Sequence, residues 1–179
     1  ESTLLVEAER IHAINDDLAC ECTTETLQER TVAVPGHRDD DDVVLTIEFE
    51  GELNDSMRGF YRTKEADGRH GAACHFEATG ARKAFPCWDE PRFRATFDVV
   101  LRLPTADTKE LVALSNMPEK SRDLDENGQT TIIAFESTPS IPSYLVCFCI
   151  GRYDFVEGKS GDVAVRVFTP VGSKEQGRL

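Results

Sequence analysis

Residues 74–97, CHFEATGARKAFPCWDEPRFRATF, carry the side chains in this chain best suited to chemistry. Glu77 offers a carboxylate for a cation or a proton. His75, with His70 nearby, offers an imidazole of the kind that titrates near neutral pH. Asp89 and Glu90 sit before a proline and among Arg82, Arg92 and Arg94, a set suited to charge-assisted pairing. The run has the content of a functional loop set between stretches that read as β-strand, and function is sought here first.

Complete catalytic motifs are missing from the sequence. There is no H-E-x-x-H, no G-x-S-x-G and no phosphate-cradling glycine loop. The histidines, His12, His37, His70 and His75, are scattered. Cys74 and His75 are adjacent, but neighbours on a strand point to opposite faces and share a metal poorly. Cysteines fall at 20, 22, 74, 87, 147 and 149, too sparse for a disulfide scaffold, and the two Cys-x-Cys pairs lack the usual zinc spacing. They read as reduced core thiols, Cys87 as a small buried hydrophobe beside Trp88. No catalytic residue and no metal ligand is assigned within this chain, and it is not expected to be catalytic alone.

Charge narrows the partners. The 179 residues hold 33 acidic and 20 basic side chains, net −13, which repels nucleic-acid phosphates and anionic lipid headgroups. A cationic partner, or a substrate with a free amine, is electrostatically easier. No apolar run reaches membrane-spanning length, and the N-terminus lacks the basic start and apolar stretch of a signal peptide. With the reduced-looking cysteines, this points to the cytoplasm. The first residue is not Met, which allows for a fragment. The Asn54-Asp55-Ser56 glycosylation pattern is too short to carry weight.

The elements that must position the loop follow from alternation. Residues 43–49 and 94–103 place apolar side chains on one face and polar ones on the other, as half-buried strands require. Further strands are expected at 4–8, 27–34, 111–115, 130–135 and 163–168. Residues 144–150, YLVCFCI, are apolar on both faces and read as a covered central strand. Turns are expected at Pro35-Gly36, Asn54-Asp55, Asp67-Gly68, Asn127-Gly128 and 158–161, with Asn127-Gly128 a hairpin tip. The acidic run 39–42 reads as a solvated loop. At most one short helix fits, at 78–84. The sum is a single all-β domain over residues 1–179, a two-sheet antiparallel β-sandwich.

These residues also resemble a known family. HFEAT at 75–79 with Ala81-Arg82, then AFPCWDEP at 84–91, are similar to the N-terminal domain of the gluzincin zinc aminopeptidases, which include aminopeptidase N and puromycin-sensitive aminopeptidase. GFYR at 59–62, ALSNMP at 113–118, Thr138-Pro139, SYLV at 143–146, VRV at 165–167, Thr169-Pro170 and EQGR at 175–178 follow in the family's order. The likeness covers most of the chain and is weakest over 1–42.

The resemblance implies a saddle-like N-terminal β domain of a multidomain enzyme whose zinc site lies in a catalytic domain that follows, outside this chain. It further implies peptide substrates with a free N-terminus, Glu77 binding the substrate α-amine and His75 standing in the wall of the pocket for the first side chain, where the family usually has glutamine. Such members use zinc in the whole enzyme, and none is bound by this chain. The Glu77-Ala78 bond is expected to be cis, as in several relatives. Gly80 replaces the usual aspartate, so one loop hydrogen bond is expected to be absent. The region 85–91 reads as architecture, with Trp88 burying apolar area and Asp89 or Glu90 paired to Arg82, Arg92 or Arg94.

The alternative for Glu77 is a surface or helix-capping carboxylate. For the whole chain it is a noncatalytic β-sandwich protein-binding module, since sandwiches host many functions, or a family member that has lost its zinc motif.

Overall fold

The computed structural model describes residues 47, 49, 51–65, 68–108 and 110–178. The strands expected at 4–8 and 27–34 and most of that at 43–49 lie outside them, as do Pro35-Gly36, the 39–42 loop, His12, His37, Cys20 and Cys22.

Alternation builds the clearest strand. In β7 (Thr130–Phe135), Thr131, Ile133 and Phe135 are buried while their neighbours are less so. It pairs antiparallel with β4 (Val100–Pro104), whose Leu101 and Leu103 face the same core, and with β6 (Glu119–Leu124). The β6–β7 connection is the hairpin tip expected at Asn127-Gly128. Gly128 takes φ +68°, a region glycine enters without a Cβ penalty, and the Asp125 side chain accepts from the backbone N–H groups of Gln129 and Thr130.

A second, four-stranded antiparallel sheet runs in the order β1 (Gly59–Lys64), β2 (His70–His75), β9 (Phe148–Gly151), β5 (Val112–Ser115). Its Phe60, Ala72, Ala113, Phe148 and Ile150 meet Leu101, Leu103, Ile133 and Phe135 of the three-stranded sheet in one apolar core, which makes the domain an all-β sandwich. Each fully buried Leu, Ile or Phe contributes about 1.5–3 kcal/mol of transfer free energy. Two smaller antiparallel pairs complete the described strands: β3 (Arg94–Ala95) with β8 (Ile141–Pro142), and the hairpin β10 (Tyr153–Ser160) with β11 (Val163–Pro170). Helical structure among the described residues is limited to single turns: Ala81–Lys83, Thr105–Thr108, Ser143–Leu145 and Lys174–Gly177. None is long and apolar enough to cross a membrane.

Several boundaries differ from expectation for identifiable reasons. The 94–103 run is interrupted between Ala95 and Val100, where Thr138 replaces a strand partner: its Oγ1 accepts from Phe97 N at 2.9 Å and its N–H donates to Phe97 O. The 144–150 run begins as a tight turn, and only its latter half enters the sheet, between β2 and β5. Gly158 continues β10 instead of turning, the reversal falling at Gly161-Asp162. Asn54-Asp55 does turn. The Asn54 amide donates to Arg58 O and Phe60 O, so this side chain is spent on the loop that leads into β1.

Candidate functional site: the 75–91 loop

β2 delivers the loop. Its last residue, His75, lies opposite Gly59 of β1 and is exposed; Phe76, the next residue, is 2% exposed; Glu77 is exposed again. A buried ring thus sits between two solvent-facing polar side chains. Phe76 packs edge-on against Phe148 of β9 and Phe85 of the same loop, both at 5.7 Å between centroids. Phe148 in turn meets Phe60 at 5.0 Å, and Phe85 meets Phe97 at 6.4 Å. Five rings therefore tie the base of the loop to both sides of the core, and each edge-to-face pair adds about 0.5–1.5 kcal/mol beyond area burial.

Glu77 opens a four-residue turn. The Glu77-Ala78 peptide is cis, as expected, and the turn closes through Gly80 N donating to Phe76 O at 2.7 Å. Close approach explains the glycine: a Cβ at position 80 would stand 2.8 Å from His75 O and 2.9 Å from Phe76 Cα, both backbone atoms. The short helical turn Ala81–Lys83 follows with Gly80 as its N-cap, no side-chain cap and no acidic residue in its first turn. Glu77 is therefore not its cap. Among the described residues, Glu77 has no hydrogen-bond or ion-pair partner.

The far arm of the loop is fixed by charge. Asp89 is buried, and its Oδ2 accepts from Arg82 Nε at 2.9 Å and from Arg82 N at 3.2 Å while Arg82 Nη2 donates to Asp89 O at 3.0 Å. Its other oxygen accepts from Ser143 Oγ at 2.7 Å. The carboxylate is thereby satisfied on both sides, as a buried charge must be. Glu90 pairs with Arg92 at 2.8 Å in solvent. Of the expected partners, Arg82 and Arg92 are used this way, and Ser143, which no local pattern announces, is the added one. Phe85 and Cys87 pack against the main core; Trp88 is only partly buried and is not among the side chains packed there, so it anchors the loop less than its size suggested.

The thiols divide by depth. Cys74, Cys147 and Cys149 are free thiols; Cys147 is exposed, contrary to a uniform core placement, while Cys74, Cys87 and Cys149 are partly buried. Among the described residues no group of three or more His, Cys, Asp or Glu side chains is arranged to hold a metal ion. The described residues thus form no zinc site, and no step is derived through zinc.

What the arrangement offers chemically is an exposed carboxylate without a partner among the described residues, two positions from an exposed imidazole, with a buried aromatic ring between them. The family model described as Peptidase M1 N-terminal domain matches residues 3–145. The chain is 43% identical over 140 residues to Aminopeptidase M1-B of Oryza sativa and to Aminopeptidase M1 of Arabidopsis thaliana, covering 76% of this chain and 15% of each relative. It is 42% identical over 155 residues to the puromycin-sensitive aminopeptidase of Caenorhabditis elegans, covering 83% of this chain and 16% of that relative. The chain thus spans about 15% of the length of these curated relatives.

Proposed function

The chain belongs to the Peptidase M1 N-terminal domain family, and from that premise we propose that it is the substrate-binding N-terminal domain of a zinc metalloaminopeptidase that removes N-terminal residues from peptides. Glu77 receives the substrate's free α-amine, and His75 forms part of the wall around the first side chain. The zinc and the residues that activate water belong to a catalytic domain following this one in the same protein. The protein works in the cytoplasm, a reading supported by the free thiols of Cys74, Cys147 and Cys149.

One observation carries this reading: Glu77 is exposed, uncommitted to any described partner, and adjacent to the buried Phe76 that fixes where it stands. A carboxylate neutralised by a local arginine would have nothing left for a ligand. An α-amine with a pKa of about 7.7–8.0 is largely protonated at neutral pH. At about 4 Å and an effective dielectric of about 20, a carboxylate attracts it by about 4 kcal/mol. A fixed amine site close to the scissile bond admits one residue and rejects N-terminal extensions, which is the defining property of an exopeptidase.

The test is the release of N-terminal residues by the intact protein carrying Glu77→Gln. The expected result is a fall in kcat/KM of about 100- to 1,000-fold, the factor that about 3–4 kcal/mol represents. Unchanged kinetics would end the assignment of Glu77.

A further inference from the structure

The turn that carries Glu77 is pressed against a second segment, the loop 54–59 that leads into β1, and the contact falls at Gly59. Gly59 lies opposite His75 across the β1–β2 ladder, two residues before Glu77. It also faces the far end of the turn: a Cβ placed on it would stand 2.9 Å from Lys83 Cβ and 3.5 Å from Gly80 O. Lys83 N donates to Gly80 O at 3.1 Å, and Gly80 N donates to Phe76 O at 2.7 Å. Gly59 therefore lies against both ends of the stretch 75–83. Glu77 stands inside that stretch, with no described partner of its own to hold it in place.

The backbone at Gly59 is imposed by Asn54. Gly59 takes φ +71° and Met57 takes φ +58°, both in the left-handed region that a side chain disfavours. The Asn54 amide nitrogen donates to Arg58 O at 2.9 Å and to Phe60 O at 3.1 Å, the carbonyls of the residues on either side of Gly59. Its Oδ1 accepts from Ser56 N at 2.8 Å, and its backbone carbonyl accepts from Arg62 N at 2.9 Å, which ties the loop to β1. One residue thus over-determines two left-handed positions, the condition under which such backbone persists.

We propose that Gly59, held by Asn54, is a positioning residue for Glu77, an inference that rests on the assignment of Glu77 to the substrate amine. The missing side chain at position 59 lets Lys83 close onto β1, and the closed turn presents the carboxylate at one place. A methyl at 59 has to push back Lys83 Cβ. That atom is bonded directly to the backbone and cannot swing aside as a side-chain tip would, so the turn itself moves. A displacement of about 1 Å in a group that orients substrate costs up to about 100-fold in rate.

The experiment measures release of N-terminal residues from peptides by the intact protein carrying Gly59→Ala, Glu77→Gln or both, with the unfolding temperature of each. Gly59→Ala should lower kcat/KM about 10- to 100-fold. The same change in the Glu77→Gln protein should cost less than about threefold, because the group it displaces is already disabled. Lys83→Gly removes the obstructing Cβ and should bring Gly59→Ala back to within about fivefold of wild type. Asn54→Asp keeps the shape of the side chain, loses both donors and should repeat the Gly59→Ala pattern in both backgrounds; if Gly59→Ala does not fold, this second cycle decides. The proposal is overturned by a folded Gly59→Ala protein with full activity, by a loss of equal size in both backgrounds, which marks general destabilisation, or by no rescue from Lys83→Gly. In those cases Glu77→Gln alone still impairs release and the amine site stands. If Glu77→Gln alone has no effect, the amine site falls and the role of Gly59 falls with it.

Discussion

Arg82 contacts Asp89 through its own backbone N–H and both ends of its guanidinium, and the two sides of this pair differ in depth: the Arg82 side chain is 37% exposed and that of Asp89 only 2%. The asymmetry predicts unequal mutants. Asp89→Ala leaves a guanidinium that water can reach, and should cost about 1.5–3 kcal/mol, the worth of hydrogen bonds to a charged group. Arg82→Ala leaves a buried carboxylate with Ser143 as its remaining side-chain partner and should cost about 3–5 kcal/mol. Amide hydrogen exchange over residues 81–91 in the intact protein reads both, and equal losses of protection would contradict the argument.

Phe76 bears on position more than on chemistry. Phe76→Ala removes the ring that Phe85 and Phe148 both contact, and a cavity of this kind costs about 3–5 kcal/mol. Phe76→Leu keeps most of the volume and should cost far less. If Glu77 acts from a fixed place, the Leu variant should raise KM for peptides with a free amine by a few-fold to tenfold with little change in unfolding temperature. An unaltered KM in a folded Phe76→Leu protein would mean that the ring does not set the carboxylate's position.

Gly80→Ala is a sharper probe of the same turn. The new methyl would face backbone atoms of His75 and Phe76 at less than normal contact distance, and neither is a flexible side-chain end. The expected cost is about 1–3 kcal/mol, accompanied by loss of amide protection at residue 80, whose N–H bonds Phe76 O. Protection unchanged at that amide would show that the turn has room to adjust.

Tyr153 gives a pH prediction. Burial, followed by the nearby Cys149, pushes its phenol up to about 12. A raised folded-state pKa means that the folded protein holds this proton when the unfolded chain, near 10, has lost it. The associated stability is complete below pH 10 and is lost as pH rises from 10 toward 12. Ultraviolet difference spectra on raising pH should show one tyrosine ionising about two units late, abolished by Tyr153→Phe. A normal titration of every tyrosine would refute it.

Where burial alternates, sequence and structure agree to the residue: TTIIAF at 130–135 is β7, with the apolar and small residues that pattern demands. The pattern is silent where both faces are wet. EKSRDL of β6 is exposed throughout and becomes a strand only because β7 offers its edge. β10 is similarly obscured by Asp154, Glu157 and Lys159. The opposite error arises in VAVRVF, whose alternating valines suggest a buried face although Val163 and Val165 are exposed. At the site, Arg82–Asp89 and Arg92–Glu90 were legible because their partners are close in sequence. Ser143 beside Asp89 joins residues 54 apart, a separation that only the tertiary fold closes.

Among the described residues β6 is an outer strand of the three-stranded sheet, and an outer strand invites another polypeptide to add itself as the next one. Glu119, Lys120, Arg122 and Asp123 crowd that strand with charges of both signs, and a bulge between Glu119 and Ser121 breaks its flat repeat. An incoming chain would have to strip water from these groups before gaining its first ladder contact. A strand that is exposed throughout and mostly charged is thus the one that guards this edge against self-association into fibrous aggregates.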